Sequence, residues 1–435
     1  MNKSYFEEVI QQTDAYKRYG KIHRVVGLMI ESKGPEASIG EVCMIHSPAR
    51  EQAPMQAEVV GFHNENILLM PYQEVIHISP GSLVEASGGP MKIHVGRGLI
   101  GSVLDASGRP LDGSRLPRGL KEYPTIQEPP NPLSRPPVRE PIQVGVRAVD
   151  SLLSVGKGQR IGIFAGSGVG KSTLMGMIAR NSSADLNVIA LIGERGREVR
   201  EFIEHDLKEE GLRRSIVVVA TSDQPALMRV KGAYTATAIS EYFRDLGYNV
   251  NLMMDSVTRF AMAQREIGLA TGEPPTTKGY TPSVFALLPK LLERTGSSTH
   301  GTITAFYTVL VDGDDLNEPI ADTVRGILDG HFVLDRKLAE QGRFPAINIL
   351  KSISRVMKQM VSEDHARAAS QLRSHLATYE ENRELIQIGA YKKGSSRDID
   401  ESMAYYPRLV EFLKQDVYEP AGYERSVQDL KGLFE

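Results

Sequence analysis

Apolar residues recur along this chain in three different rhythms, and the changes of rhythm divide it into regions. Between residues 20 and 90 the segments IHRVVGLMI, GEVCMIHS, QAEVVGF and NILLMPY are short, rich in β-branched residues and separated by Gly, Pro, Asn or Ser clusters. That spacing predicts a small all-β barrel or sandwich. From about residue 145, apolar runs alternate with helical stretches: RIGIFA (160–165), NVIALIG (187–193), SIVVVAT (215–221), NVNLMMD (249–255) and TITAFYTVLV (302–311). Near-continuous apolar strands separated by helices predict a parallel sheet covered on both faces. After about residue 350 the strands stop, and 363–389, 399–415 and a short segment near 423–434 read as helices. No period repeats along the chain, which excludes a solenoid.

Two further segments frame these regions. Residues 4–18 read as a helix whose Ser4 and Glu7 have the spacing of a capping box, each satisfying a backbone N–H near the other. Its apolar stripe (Tyr5, Phe6, Val9, Ile10, Tyr16) either packs on its own domain or docks another protein. Residues 123–141, YPTIQEPPNPLSRPPVREP, form a proline-dense connector. Prolines lack a donor and fix φ, so this stretch is expected to be extended, irregular and wrapped over a neighbouring domain. The divisions are therefore an N-terminal helix (1–19), a β domain (20–90), an α/β domain (91–345, carrying the connector) and a C-terminal helical domain (346–435).

Composition narrows the function. The chain has 435 residues, with 51 basic and 54 acidic side chains and a net charge of −3, which argues against a bulk polyanion binder. Its single cysteine, Cys43, cannot form an internal disulfide, fits a reducing cytoplasm, and reads as a small buried apolar residue. The first residues carry acids and glutamines where a signal peptide needs an apolar core. No stretch approaches the roughly 20 apolar residues that span a bilayer, so any membrane association is expected to be peripheral.

The sharpest signal is AGSGVGKST, residues 165–173, which follows an apolar strand and opens a helical run. This context makes it a phosphate-binding loop. Gly166, Gly168 and Gly170 allow close backbone approach to an anion at a helix start, where the dipole favours negative charge. The loop residues Ala165, Gly166, Ser167, Gly168, Val169, Gly170, Lys171, Ser172 and Thr173 are the nucleotide-binding candidates. Lys171 would reach the β- and γ-phosphates and Ser172 would ligate Mg²⁺. Ala165 stands where the strict pattern has Gly, a small departure. Asp255, at the end of NVNLMMD, is the second magnesium candidate or else a cap of the following helix. Ser256 follows it rather than the glutamate many motor ATPases carry there, so the base must come from elsewhere. Glu194, directly after NVIALIG, is placed to polarise an attacking water, with Arg195 beside it for γ-phosphate charge. No Asn-Lys-x-Asp guanine-reading motif appears in the central domain, which favours ATP over GTP.

These residues sit in long segments: IGERGREVREF (192–202), AYTATAISEYFRD (233–245), MDSVTRFAMAQREIGLATGEPPTTKGYTPSVFALLPKLLERTG (254–296) and VDGDDLNEPIADTVRGILDGHFVLDRKLA (311–339). In them the chain closely resembles the flagellar and type III secretion export ATPases, relatives of the catalytic subunits of rotary ATP synthases, from about residue 20 onward. The resemblance implies an N-terminal β-barrel, a central RecA-like P-loop ATPase domain and a C-terminal helical domain, assembled as a homohexamer with ATP and Mg²⁺ at subunit interfaces. It puts Glu194 at the position of the catalytic glutamate and Arg195 and Arg259 around the terminal phosphate. It makes Arg355 the arginine that reaches a neighbouring subunit's site, and Phe344 an aromatic against adenine. A second adenine contact is expected near residues 412–420, where Val417 holds the usual aromatic position and Tyr418 is beside it. The cluster Asp312–Asp315 matches a family motif with no assigned chemistry.

By the same resemblance the ring energises protein export at the cytoplasmic face of the inner membrane, for flagellar biogenesis or a virulence system. Its implied partners are a stator-like regulator at the N-terminal helix, an export-gate membrane protein, and export chaperones and substrates. Two other classes compete. A non-catalytic nucleotide-holding subunit would lack the glutamate, whereas Glu194, Lys171 and Arg355 occur together here. An RNA translocase needs stacking aromatics and basic strands in its barrel, and residues 20–90 offer Phe62 and Tyr72 without such a cluster. No nucleic-acid partner is expected.

Overall fold

The structure, a computed structural model, describes residues 17–47, 53–311 and 315–435. The expected helix at 4–18 lies outside the described residues except for its last two positions, which are not helical.

The β domain is a closed six-stranded barrel ordered Tyr19–Val26, Met29–Lys33, Asn66–Pro71, Met55–His63, Glu41–His46 and Leu83–Pro90. Closure removes the exposed edges that short antiparallel strands would otherwise present. Every second side chain turns inward, and Ile22, Ile30, Cys43, Ile45, Val59 and Leu69 fill the interior. The pattern of apolar runs undercounts the strands in two places. IHRVVGLMI holds two strands rather than one, because Gly27 takes a left-handed φ of 56° and turns the chain back. Leu83–Pro90 pairs with both Tyr19–Val26 and Glu41–His46 although half of it is Ser-Gly-Gly-Pro, a composition that reads as a turn.

The barrel is fastened to the α/β domain by a buried ion pair. Lys231 Nζ lies 2.5 Å from Glu58 Oε2, and Tyr72 donates its hydroxyl to the same oxygen at 2.6 Å. Both charged side chains are more than nine-tenths buried, so removing either partner strands a charge away from water. The proline-dense connector begins at the end of the strand Lys121–Pro124, reaches the short strand Pro141–Ile142, and between them runs irregularly apart from a 3₁₀ turn at Pro132–Ser134. It lies on the α/β domain itself: Arg135 donates to the carbonyl oxygens of Thr295 and Glu293, and buried Arg294 donates to Thr125 O at 2.8 Å. Arg294 is neutralised by a bidentate contact to Glu241, at 2.9 and 2.5 Å.

The five expected central strands form within a residue of their expected bounds, inside a nine-stranded sheet. Its order runs Ile353–Ser354, Gly330–Leu334, Arg160–Ala165, Thr302–Leu310, Asn249–Asp255, Leu186–Ile192, Ser215–Ala220 and Val103–Asp105, with the ninth strand, Gly296–Ser297, pairing antiparallel to Thr302–Leu310 off this path. Strands such as Leu186–Ile192 are buried at every residue because helices cover both faces. Gly330–Leu334 and Val103–Asp105 extend the sheet beyond the apolar runs. The two-residue strand Ile353–Ser354 closes one edge antiparallel, so strand structure persists slightly past residue 350.

Helices Glu363–Gln387, Arg397–Leu413 and Tyr423–Lys431 make up the C-terminal region. Ser362 caps the first by accepting from His365 N–H, and Tyr379 stacks on Tyr406 with ring centroids 3.5 Å apart. Among the described residues, no helix is long and apolar enough to cross a membrane.

Candidate functional site

The phosphate loop forms where the strand Arg160–Ala165 turns into the helix Lys171–Asn181. Gly168 and Gly170 take left-handed φ values of 77° and 92°, which a side chain would strain. Ala165 and Val169 are buried beneath the loop. Arg336 donates to Ser167 O at 3.0 Å and holds the loop's outer turn. Lys171, Ser172 and Thr173 therefore occupy the first turn of a helix whose free N–H groups face the loop.

Three side chains meet at the carboxyl edge of the sheet. Lys171 Nζ makes an ion pair with Asp255 Oδ1 and lies 3.7 Å from Glu194 Oε1. Asp255 ends its strand almost fully buried, and Thr308 on the adjoining strand donates its hydroxyl to Asp255 Oδ1 at 2.8 Å. The following helix, Val257–Ala270, is capped by Ser256, which accepts from Arg259 N–H at 3.3 Å. Asp255 is thus released from capping and faces the loop lysine. Glu194 leaves its strand after Gly193, and its Oε1 is buried with no hydrogen-bond partner. Burial, then the negative charge of Asp255, push its carboxyl up to about 7 against the pull of Lys171.

Other sequence-derived candidates separate into those the fold gathers and those it holds apart. The stem of Arg259 packs on Gly193, where an added Cβ would come within 2.9 Å of Arg259 Cβ, and its Nε is buried without a hydrogen-bond partner. Arg195 instead points into solvent, four-fifths exposed, and pairs with Glu198 at 3.6 Å. Arg355 follows the edge strand and donates its N–H to Asp329 O at 3.0 Å, with Nη2 on Arg325 O at 3.3 Å. This is where Gly330 pairs with Ile161, at the start of the loop-bearing strand. Five residues at about 3.3 Å each put it roughly 17 Å from the loop at the strand's far end, so Arg355 stands well away from its own chain's loop.

Of the expected adenine contacts, Phe344 lies against the loop and Tyr418 lies beside Arg180, near the far end of the helix Lys171–Asn181. Phe344 is 44% exposed rather than packed in the core, and a Cβ on Gly170 would lie 3.8 Å from its ring carbons. Val417 turns its side chain into the core, while Tyr418 stays outside with Lys208 Nζ 3.5 Å from its ring centroid. Geometry therefore favours Tyr418 over Val417 as an exposed aromatic surface. Three participants escaped sequence reasoning: Thr308, Arg336 and Gln415, whose backbone N–H donates to Phe344 O at 2.9 Å. Thr308 had one signal, a hydroxyl inside an otherwise apolar strand; the other two had none. Of the acidic cluster, 312–314 lie outside the described residues, and Asp315 accepts from Asn317 N–H in a turn.

Three family models match successive segments of the chain. Residues 22–88 match the ATP synthase alpha/beta family beta-barrel domain, 145–354 its nucleotide-binding domain, and 361–432 the T3SS EscN ATPase C-terminal domain. A flagellum-specific ATP synthase of Bacillus subtilis (strain 168) is 68% identical over 426 residues, covering 98% of this chain and 97% of that protein. A type 3 secretion system ATPase of Xanthomonas euvesicatoria is 51% identical over 418 residues, covering 96% and 94%. The assembled ATPase EscN of the enteropathogenic E. coli type III secretion system shares the fold with a TM-score of 0.90 and 46% identity, over 95% of this chain and 99% of EscN. EscN in complex with its central stalk EscO gives 0.88.

Proposed function

This chain belongs to the family of flagellum-specific ATP synthases and type III secretion ATPases, and from that premise we propose that it hydrolyses ATP in a homohexameric ring that energises flagellar protein export. The observation that carries the reading is the meeting of Lys171, Glu194 and Asp255 beside a glycine-lined helix start. A flagellar rather than injectisome role is favoured by 68% identity to the Bacillus relative, against 51% and 46% to the secretion ATPases.

In the proposed cycle the loop N–H groups and Lys171 bind the triphosphate, so Lys171 exchanges its carboxylate partners for phosphate oxygens. Glu194 holds a water in line with the γ-phosphorus and takes its proton as the new P–O bond forms and the bond to ADP breaks. Arg259 fits the surroundings of the terminal phosphate, having a buried Nε without a partner. Arg195 can join only by turning in from solvent. Arg355, far from its own loop, is assigned to the site of the next protomer, where an arginine would stabilise charge on the transferring phosphoryl group. Phe344 and Tyr418 are assigned to the adenine.

Ser172 and Asp255 fit magnesium as hard oxygen donors, and among the described residues no group of three or more metal-ligating side chains competes with them. Held by these two side chains, magnesium would supply positive charge that offsets the charge of the bound triphosphate. The ring is assigned a peripheral place at the cytoplasmic face of the inner membrane. Its proposed partners are a central stalk, as EscN has in EscO, a stator-like regulator at the N-terminal segment, an export-gate membrane protein, and export chaperones with their substrates.

The test is Glu194→Gln, measured for ATP binding and for turnover. Binding is expected to persist while turnover falls by about 10²–10⁴-fold; a variant with undiminished turnover removes Glu194 from the mechanism.

A further inference from the structure

The two aromatic surfaces assigned to the base come from distant parts of the chain, and one buried side chain ties their segments together. Gln415 is 5% exposed and follows the helix Arg397–Leu413. Its Oε1 accepts from Arg147 N–H at 2.7 Å, and its Nε2 donates to Gly145 O at 3.1 Å and to Glu419 O at 2.8 Å. Its backbone N–H donates to Phe344 O at 2.9 Å. Both amide donors and the amide oxygen are thus used, each on a main-chain group of a different residue.

We propose that Gln415 is a positioning residue for the nucleotide base, fixing the segments that carry Phe344 and Tyr418 at one separation. The inference rests on the adenine assignment made above. The side-chain amide anchors residue 415 to the entry of the α/β domain at 145–147, and the backbone of the same residue then holds the Phe344 carbonyl. The bond to Glu419 O closes the loop that presents Tyr418. That loop is pinned from the other side by Arg180, which donates to Val417 O at 2.8 Å, with Arg180 and Lys208 both lying over the Tyr418 ring. None of these contacts touches Lys171, Glu194 or Asp255, so the amide governs where the base sits and leaves the phosphate chemistry alone. A bond network that only held the fold together would affect ligands with and without a base alike.

The experiment compares wild type with Gln415→Met, which keeps the volume and loses the amide, and with Gln415→Glu, which sets a carboxylate oxygen against two carbonyls. KM for ATP is expected to rise roughly tenfold in both, equivalent to about 1.4 kcal/mol, with kcat at saturation within about twofold of wild type. Inhibition by tripolyphosphate, which has phosphates and no base, is expected to keep its wild-type constant. An unchanged KM for ATP, or an equal weakening of tripolyphosphate, overturns the proposal. Should neither variant fold, hydrogen exchange in the wild-type segment 412–420 decides: protection by ATP and none by tripolyphosphate supports the role, and equal effects overturn it. A wild-type protein that does not hydrolyse ATP defeats the proposed function instead, so the two failures are distinguishable.

Discussion

The phosphate end and the proposed base end of the site are built on opposite principles. At the phosphate end, a loop, a lysine and two carboxylates sit at the tips of three strands in one sheet, and the sheet register sets their spacing. At the base end, Phe344 and Tyr418 stand on irregular segments joined through Gln415 and Arg180. The first arrangement suits chemistry that tolerates little displacement. The second allows a binding surface to be adjusted by small movements of the C-terminal helices without disturbing the reacting atoms. Substitutions at the phosphate end should therefore change turnover, and those at the base end should change apparent affinity.

The largest effect expected is from Arg355→Ala, a loss of about 10³-fold or more in kcat if it acts across a subunit boundary. Mixing this variant with Lys171→Ala should restore part of the activity, because some interfaces then pair an intact loop with an intact arginine. Mixtures no more active than either variant alone would return Arg355 to a structural role.

A pH profile gives the next largest change. In the proposed mechanism Glu194 must be unprotonated to take the water's proton, and its carboxyl is pushed up to about 7. kcat/KM should fall about tenfold per unit below that point, where an ordinary carboxylate would hold activity down to pH 5. Stability runs the other way. A carboxyl whose folded value is raised favours the fold fully below its ordinary value of 4.5 and loses that contribution as pH rises through about 7. The melting temperature of Glu194→Gln relative to wild type should accordingly climb across this window in nucleotide-free protein.

Smaller effects belong to the base end. Phe344→Ala should raise KM for ATP by about tenfold, within the 1–3 kcal/mol that a base–aromatic stack is worth, and leave kcat nearly untouched. Tyr418→Ala should do the same more weakly, by about threefold, since Lys208 already occupies one face of its ring. A fall in kcat larger than the rise in KM for either variant would erase the distinction between the two ends.

This contrast also explains what was legible in the sequence. Asp255 ends one apolar run, Glu194 comes just after another, and Lys171 and Ser172 open the helix behind a glycine-rich loop that follows a third, so a linear reading can propose them. The barrel was legible for the same reason, except where Gly27 folds one run into two strands and where Leu83–Pro90 spends half its length on turn-forming residues. Gln415 and Arg336 carry no local signal because their function is defined by carbonyl oxygens contributed from far along the chain. Arg355 is a candidate through resemblance alone, and its place at the opposite end of the sheet from its own loop is what a role across a subunit boundary would require.

The Lys231–Glu58 pair beneath Tyr72 has a mechanical consequence. A charge pair sealed between barrel and α/β domain cannot be opened by hydrolysis-sized displacements without stranding an ion, a penalty of about 3–5 kcal/mol. The two domains should consequently travel as a single stiff block, and any swivelling during turnover has to be absorbed at the opposite pole, where the C-terminal helices meet the Phe344 segment.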